Sequence, residues 1–185
     1  MPQKRNRRSG VEDRWMRTVR DADGVERKVR SAKYGKGSRW RARYVDARGQ
    51  EQERLFARKV DAAKWLDGIT STIVTGTYVA PGAGSVTVGA MHDQWLKMQA
   101  HVKDSTKAAR ASAWTVHVQD RWHDVTVADV QTSAVRAWVG DLHRPEKDGG
   151  SGAAAATIEN ALGVLRMVLA LAVEDKRIRT TRVTA

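Results

Sequence analysis

Between Ser38 and Tyr44 the chain alternates: Arg39, Arg41 and Arg43 take every second position, with Trp40, Ala42 and Tyr44 between them. Successive side chains of a β-strand point to opposite faces, so this run predicts a strand that is basic on one side and apolar on the other. Upstream, "DRWMRTVR" (Asp13 to Arg20) predicts a strand, "DADG" a turn and "VERKVR" a return strand. "KYGKGS" reads as a second turn, and "DARG" leads into a partner strand, "QEQERLF" (Gln50 to Phe56). From Lys59 the period changes. Ala62, Trp65, Leu66, Ile69 and Ile73 recur at three- and four-residue spacing, which predicts an amphipathic helix with Gly76 at its stop. That helix would cover Trp40, Ala42, Tyr44 and Phe56 through Trp65, Leu66 and Ile69, leaving the face of Arg39, Arg41 and Arg43 open. With Phe56 inward, Glu51 and Glu53 share the open face, a conflict this register carries.

Beyond residue 85 the pattern is helical. Val88, Met91, Trp95, Met98 and Val102 predict a first helix; Ala111, Trp114, Val118 and Trp122 a second, with Ser105 as its N-cap. A short extended piece carries Val127 and Val130. Val135, Trp138, Val139 and Leu142 predict a third helix, capped by Thr132. "RPEKDGGSG" (Arg144 to Gly152) reads as a flexible loop. Ile158, Leu162, Leu165, Leu169 and Ala172 predict a last helix from Ala154 to Asp175. Four helices with one apolar stripe each make a bundle. The fold class is therefore α+β: a small three-stranded antiparallel sheet with one helix, linked to an all-α four-helix bundle.

Charge divides the 185 residues. Residues 1–80 hold 20 Lys/Arg and 10 Asp/Glu, whereas residues 81–185 hold 13 and 11. The seam is "VAPGAGS" (Val79 to Ser85), whose Pro and Gly suit a linker. The expected organisation is a basic disordered tail (1–10), a sheet-plus-helix domain (11–78), a linker (79–85), a helical domain (86–179) and a C-terminal tail (180–185). A net charge of +12 favours a polyanionic partner, with nucleic acid ahead of an anionic membrane surface. No window approaches the roughly 20 apolar residues of a membrane span, and no apolar segment follows the basic N-terminus as in a secretory signal. The expectation is a soluble cytoplasmic protein associated with the nucleoid, without membrane contact. Cysteine is absent, which excludes disulfides and thiolate metal sites. His92, His101, His117, His123 and His143 have no recognised ligand spacing. Asp120, Asp124 and Asp129 make no catalytic pair, and the Gly-rich loop lacks the Lys and Ser/Thr of a P-loop. No cofactor is expected. Trp95, Trp114, Trp122 and Trp138 lie on the apolar stripes and read as core rather than as base-stacking platforms.

The order of these parts resembles the N-terminal half of phage integrases of the tyrosine recombinase family. The resemblance rests on "GSRWRARYVDARGQEQERLF" with "DAAKWLDGITSTIVTGTYVAP", then "TVGAMHDQWL", "DVTVADVQTSAVRAWVGDL" and "TIENALGVLRMVLALAVEDKRI". It implies an arm-binding domain whose sheet reads arm-type sites, followed by a SAM-like core-binding domain. Its implied DNA contacts are Arg39, Arg41 and Arg43 on the sheet and Lys33 and Lys36 in the preceding turn. On the helical domain they are Thr106, Lys107 and Arg110 at the start of the second helix, with Thr157 and Asn160 at the start of the last. Partners would be double-stranded attachment-site DNA, and full-length integrase or further copies on that DNA. Family members continue into a domain with a tyrosine nucleophile, but Tyr34, Tyr44 and Tyr78 all fall in the first module, and the chain closes on "RIRTTRVTA". The expectation is a truncated, non-catalytic DNA-binding fragment. The alternatives are the binding part of a split recombinase and an architectural, excision-directing factor that bends DNA.

Overall fold

The computed structural model describes residues 9–46, 48–181 and 183. They fall into two compact units, divided between Tyr78 and Val79. Most of the expected basic tail, residues 1–8, and residues 182, 184 and 185 of the C-terminal tail lie outside the described residues. Gly10, assigned to that tail, instead opens the first strand.

The first unit holds β1 (Gly10–Asp13), β2 (Met16–Arg20), β3 (Glu26–Arg30), β4 (Trp40–Val45), β5 (Glu51–Phe56) and α1 (Lys59–Val74). The three-stranded antiparallel sheet has the order β1-β4-β5, and β2 and β3 pair only with each other. The strand expected over Asp13–Arg20 is thus two strands. Asp13 breaks it: one carboxylate oxygen accepts from the backbone N–H groups of Trp15 and Met16, at 3.0 and 3.2 Å, and turns the chain. The pairing of Trp40 with Phe56 and of Tyr44 with Gln52 puts Phe56 on the helix side. There Trp65 packs 5.6 Å from Tyr44 and 5.7 Å from Phe56, centroid to centroid. Ala42 and Ala62 are fully buried where helix and sheet meet. Past Val74 the helix stops through Thr75 and Gly76, whose φ of 73° is the left-handed geometry glycine adopts without strain.

The second unit holds α2 (Val88–Lys97), α3 (Asp104–Ala113), a π-helical segment (Trp114–Val118) running into α4 (Gln119–Trp122), α5 (Thr132–His143) and α6 (Ala155–Glu174). Trp114, Val118 and Trp122 are four residues apart, a spacing that drifts about 40° per step around an α-helix. The wider π turn absorbs the drift, and all three side chains are buried. Several expectations shift. The first helix ends at Lys97, with Met98 as C-cap, so Val102 lies in the connection. The next helix starts one residue before Ser105, after Lys103, because Asp104 already supplies a carboxylate to its first turn. Thr132 is the first helical residue rather than the cap, which is Gln131.

The segment read as a linker folds with this unit. Ala83–Ser85 form a 3-10 turn, Ala83 is buried, and the carbonyl of Gly84 accepts from the N–H of Ala128 at 3.2 Å. The loop read as flexible closes on α5, with the N–H of Gly152 donating to Arg144 O at 2.8 Å and that of Ala153 to Leu142 O at 2.9 Å. Gly150 is required in that closure, since a Cβ there would lie 2.0 Å from the Arg144 carbonyl oxygen. The absence of a membrane-length apolar window is also corrected. The 20 residues of α6 are long and apolar enough to cross a membrane by length and composition. Here α6 is the core helix of the bundle, burying Ile158, Val164, Leu165, Val168, Leu169 and Ala172.

His92 is buried in the same core, stacked on Trp114 with ring centroids 3.6 Å apart. Burial pushes its pKa down; Asp93, 3.8 Å from Nδ1, opposes the shift and His123 adds to it. The unfolded chain therefore protonates His92 at a pH where the folded unit does not, so stability is lost as pH falls below the ordinary histidine value of about 6.5. The expected result is a lower thermal midpoint for the helical unit near pH 5 than near pH 7. His92→Phe, which keeps the stack, should flatten that dependence. An unchanged slope in the variant would assign the effect elsewhere.

Candidate nucleic-acid interface

Strand β4 is central in its sheet, so both its faces have neighbours. On the helix side the Tyr44 hydroxyl lies 2.8 Å from that of Tyr78, and burial pushes the Tyr44 pKa upward. On the other side, Arg41 lies opposite Glu12 of β1 and Leu55 of β5, and Arg43 lies opposite Glu53. Glu12 bridges both guanidinium groups, 2.6 Å from Arg41 and 2.8 Å from Arg43. Glu53 reaches Arg41 at 3.1 Å and Glu51 reaches Arg43 at 3.4 Å. The hydrogen bond from Arg41 holds the Glu12 carboxyl below the usual carboxylate range, against its partial burial.

The expected open basic face is therefore an ion-paired lattice of two arginines and three glutamates. The conflict over Glu51 and Glu53 resolves in favour of their sharing that face. Glu12 escapes the alternation argument because its strand begins earlier in the chain than the pattern predicts. These side chains are 28% to 51% exposed, and ion pairs of that exposure contribute about 0–1 kcal/mol each. Such pairs exchange one partner for an incoming group at little cost.

Arg39 sits apart, before β4 begins. It donates to both oxygens of Asp13, the closest contact being 2.7 Å, and its guanidinium stands 5.0 Å from the Trp40 ring and 5.9 Å from that of Trp15. Lys33 and Lys36 lie in an exposed turn whose Gly35 and Gly37 take positive φ; among the described residues neither has an ion-pair partner.

In the helical unit Thr106 and Arg110 of α3 and Asn160 of α6 line one groove of about 260 Å³, together with Glu159 and Gly163. Lys107 instead pairs with Asp104 at 3.2 Å and lines a separate, more apolar groove beside Trp95 and Leu96. Arg110 borders both; it donates to Gln99 Oε1 and lies 5.5 Å from the Trp95 ring. Thr157, in the first turn of α6, is half-buried and is not among the groove-lining residues. Among the described residues no cluster of His, Asp and Glu could hold a metal ion.

No protein-family model matches this chain, and no curated protein matches it. Lambda integrase complexes are among the solved structures similar to it. One is a lambda integrase tetramer bound to a Holliday junction, at 20% identity and a TM-score of 0.45, covering 77% of this chain and 42% of that one. Another is a lambda integrase dimer bound to a COC' core site, at 19% identity and a TM-score of 0.46, covering 77% and 41%. The chain spans about two fifths of the length of these integrase chains.

Proposed function

We propose that this chain binds duplex DNA in site-specific recombination, with the β1-β4-β5 face reading base edges of an arm-type site and the helical unit holding a core-type site. The observation that carries the proposal is the charge of the first unit. Residues 1–80 have twice as many basic as acidic residues, and Lys33 and Lys36, unpaired among the described residues, accompany a sheet face of alternating Arg and Glu. Base edges and phosphates ask for different groups. Arginine matches the acceptor pair of guanine and glutamate accepts from the cytosine amino group, so a mixed face suits base reading in the major groove. The two lysines suit phosphates, as does the Thr106–Arg110–Asn160 groove more weakly, given Glu159 at its edge.

The role proposed for these residues is binding without strand cleavage. Tyr44 and Tyr78 are buried and bonded to one another, which disfavours the phenolate a nucleophile needs. Tyr34 lies beneath the Arg30 guanidinium at 4.3 Å and beside Trp15. The test is titration of labelled duplexes, with a suicide recombination substrate assayed alongside. We expect micromolar or tighter binding that weakens linearly in log–log form with salt, and no covalent protein–DNA adduct. Absence of binding at low salt removes the reading, and an adduct removes its non-catalytic part.

A further inference from the structure

We infer that the β2–β3 hairpin is a second DNA-binding element, one that grips the phosphate backbone. The inference rests on the reading of the chain as a duplex-DNA binder and adds a surface that reading does not use. Every residue of the two strands is exposed except Met16 and Val29, which are half-buried. A ribbon that buries so little is marginal by itself, so its order depends on how its base is held, and nearly all of its surface is left free to meet a partner.

The root of the hairpin is well held. The N–H of Arg14 donates to Arg39 O and that of Ser31 to Trp15 O, both at 2.8 Å, and Arg14 Nη1 donates to Ser38 O at 2.7 Å. A ladder of rings and cations continues the attachment: Arg30 over Tyr34, Tyr34 against Trp15 at 5.8 Å, and Arg39 between Trp15 and Trp40. The strands are thus presented from a fixed base.

Their charge is in surplus. Glu26 takes Arg20 at 2.9 Å and Asp21 takes Arg27 at 3.1 Å. Arg17 and Lys28 have no acidic partner among the described residues, and Arg30 has only the Tyr34 ring there. The register places Arg17 and Arg27 on one face and Arg20, Lys28 and Arg30 on the other. Cations on both faces make no single pattern for base edges, whereas they suit a polyanionic backbone that carries no sequence. The paired sheet face and the surplus-charged hairpin divide the work: one discriminates, the other attracts.

The test compares the full chain with Lys28→Glu, and with Lys28→Glu combined with Arg17→Ala, on several unrelated duplexes across a salt series. Among the described residues neither side chain has an ion-pair or ring partner that the substitution would remove, and unchanged circular dichroism checks the fold. The expected result is a loss of affinity of about tenfold or more, equal on all sequences, with the salt slope shallower by roughly 1 for each phosphate left unneutralised. If the parent binds DNA and both variants match it in affinity and slope, the hairpin assignment is overturned while the DNA-binding reading stands. A loss confined to one sequence, or a parent that prefers duplex RNA, also overturns it. A parent that binds no duplex at low salt overturns both.

Discussion

Trp122→Ala should lower the stability of the helical unit by about 3–5 kcal/mol, the cost of emptying a large aromatic from a packed core. That is about a fifth or more of the roughly 5–15 kcal/mol that holds a domain together, so its urea midpoint should fall well below the parent's. Trp122 is among the largest side chains with almost no exposure, 1%, and it meets Trp138 edge to face at 5.8 Å and 88°. Trp138 is itself tied to the helix across from it, donating from Nε1 to His117 O at 3.3 Å. Emptying the Trp122 site therefore loosens two segments together. Trp122→Phe should cost much less, because Trp122 Nε1 is a buried donor without a hydrogen-bond partner among the described residues, and phenylalanine removes that donor along with part of the ring. A loss under about 1 kcal/mol for alanine would mean that the packing around this ring contributes little, and equal losses for the two variants would overturn the argument from the unpaired donor.

The helical half of this fold is legible in the sequence because its signal is local. Each stripe, such as Ile158, Leu165, Leu169 and Ala172, repeats with the helix and needs no knowledge of its neighbour. The π segment is legible only once the structure is known, from the four-residue steps between Trp114, Val118 and Trp122. The strands are harder. A carboxylate bonding backbone two and three residues on, as Asp13 does, ends a strand without any glycine or proline to announce it. Pairing is non-local too: nothing near Glu12 in the sequence indicates that it will lie opposite Arg41, 29 residues away.

That difference decides where alternation fails at the candidate interface. It correctly separates the faces of β4, with Ala42 and Tyr44 against the helix and Arg41 and Arg43 away from it. It says nothing of what the adjoining strands contribute, and they contribute carboxylates. The surplus cations lie instead in "MRTVR" and "ERKVR", the strand and return strand that the sequence predicts on either side of "DADG". Only their pairing across "DADG", with five basic residues around that turn, marks the hairpin as an electrostatic feature.

The sheet arginines carry the largest expected effect on binding. Arg41→Ala with Arg43→Ala should weaken duplex binding by two orders of magnitude or so, the combined worth of two bidentate contacts at about 1–3 kcal/mol each. The ion pairing adds to the loss. With both guanidinium groups gone, Glu12, Glu51 and Glu53 remain on the face without counter-charge, and a carboxylate cluster repels phosphate. Glu12→Gln separates the two contributions, since it releases both arginines from their shared partner while keeping the shape. It should raise affinity for unrelated sequences and narrow the margin for a preferred one, because the restraint on where the guanidinium groups can point is removed. The measurement is competition between a selected duplex and arbitrary DNA at fixed salt, with circular dichroism to confirm the sheet and helices. An unchanged affinity in the double arginine variant would sink base reading by this face. The hairpin would then be left as the principal contact, and binding would be governed by salt rather than by sequence.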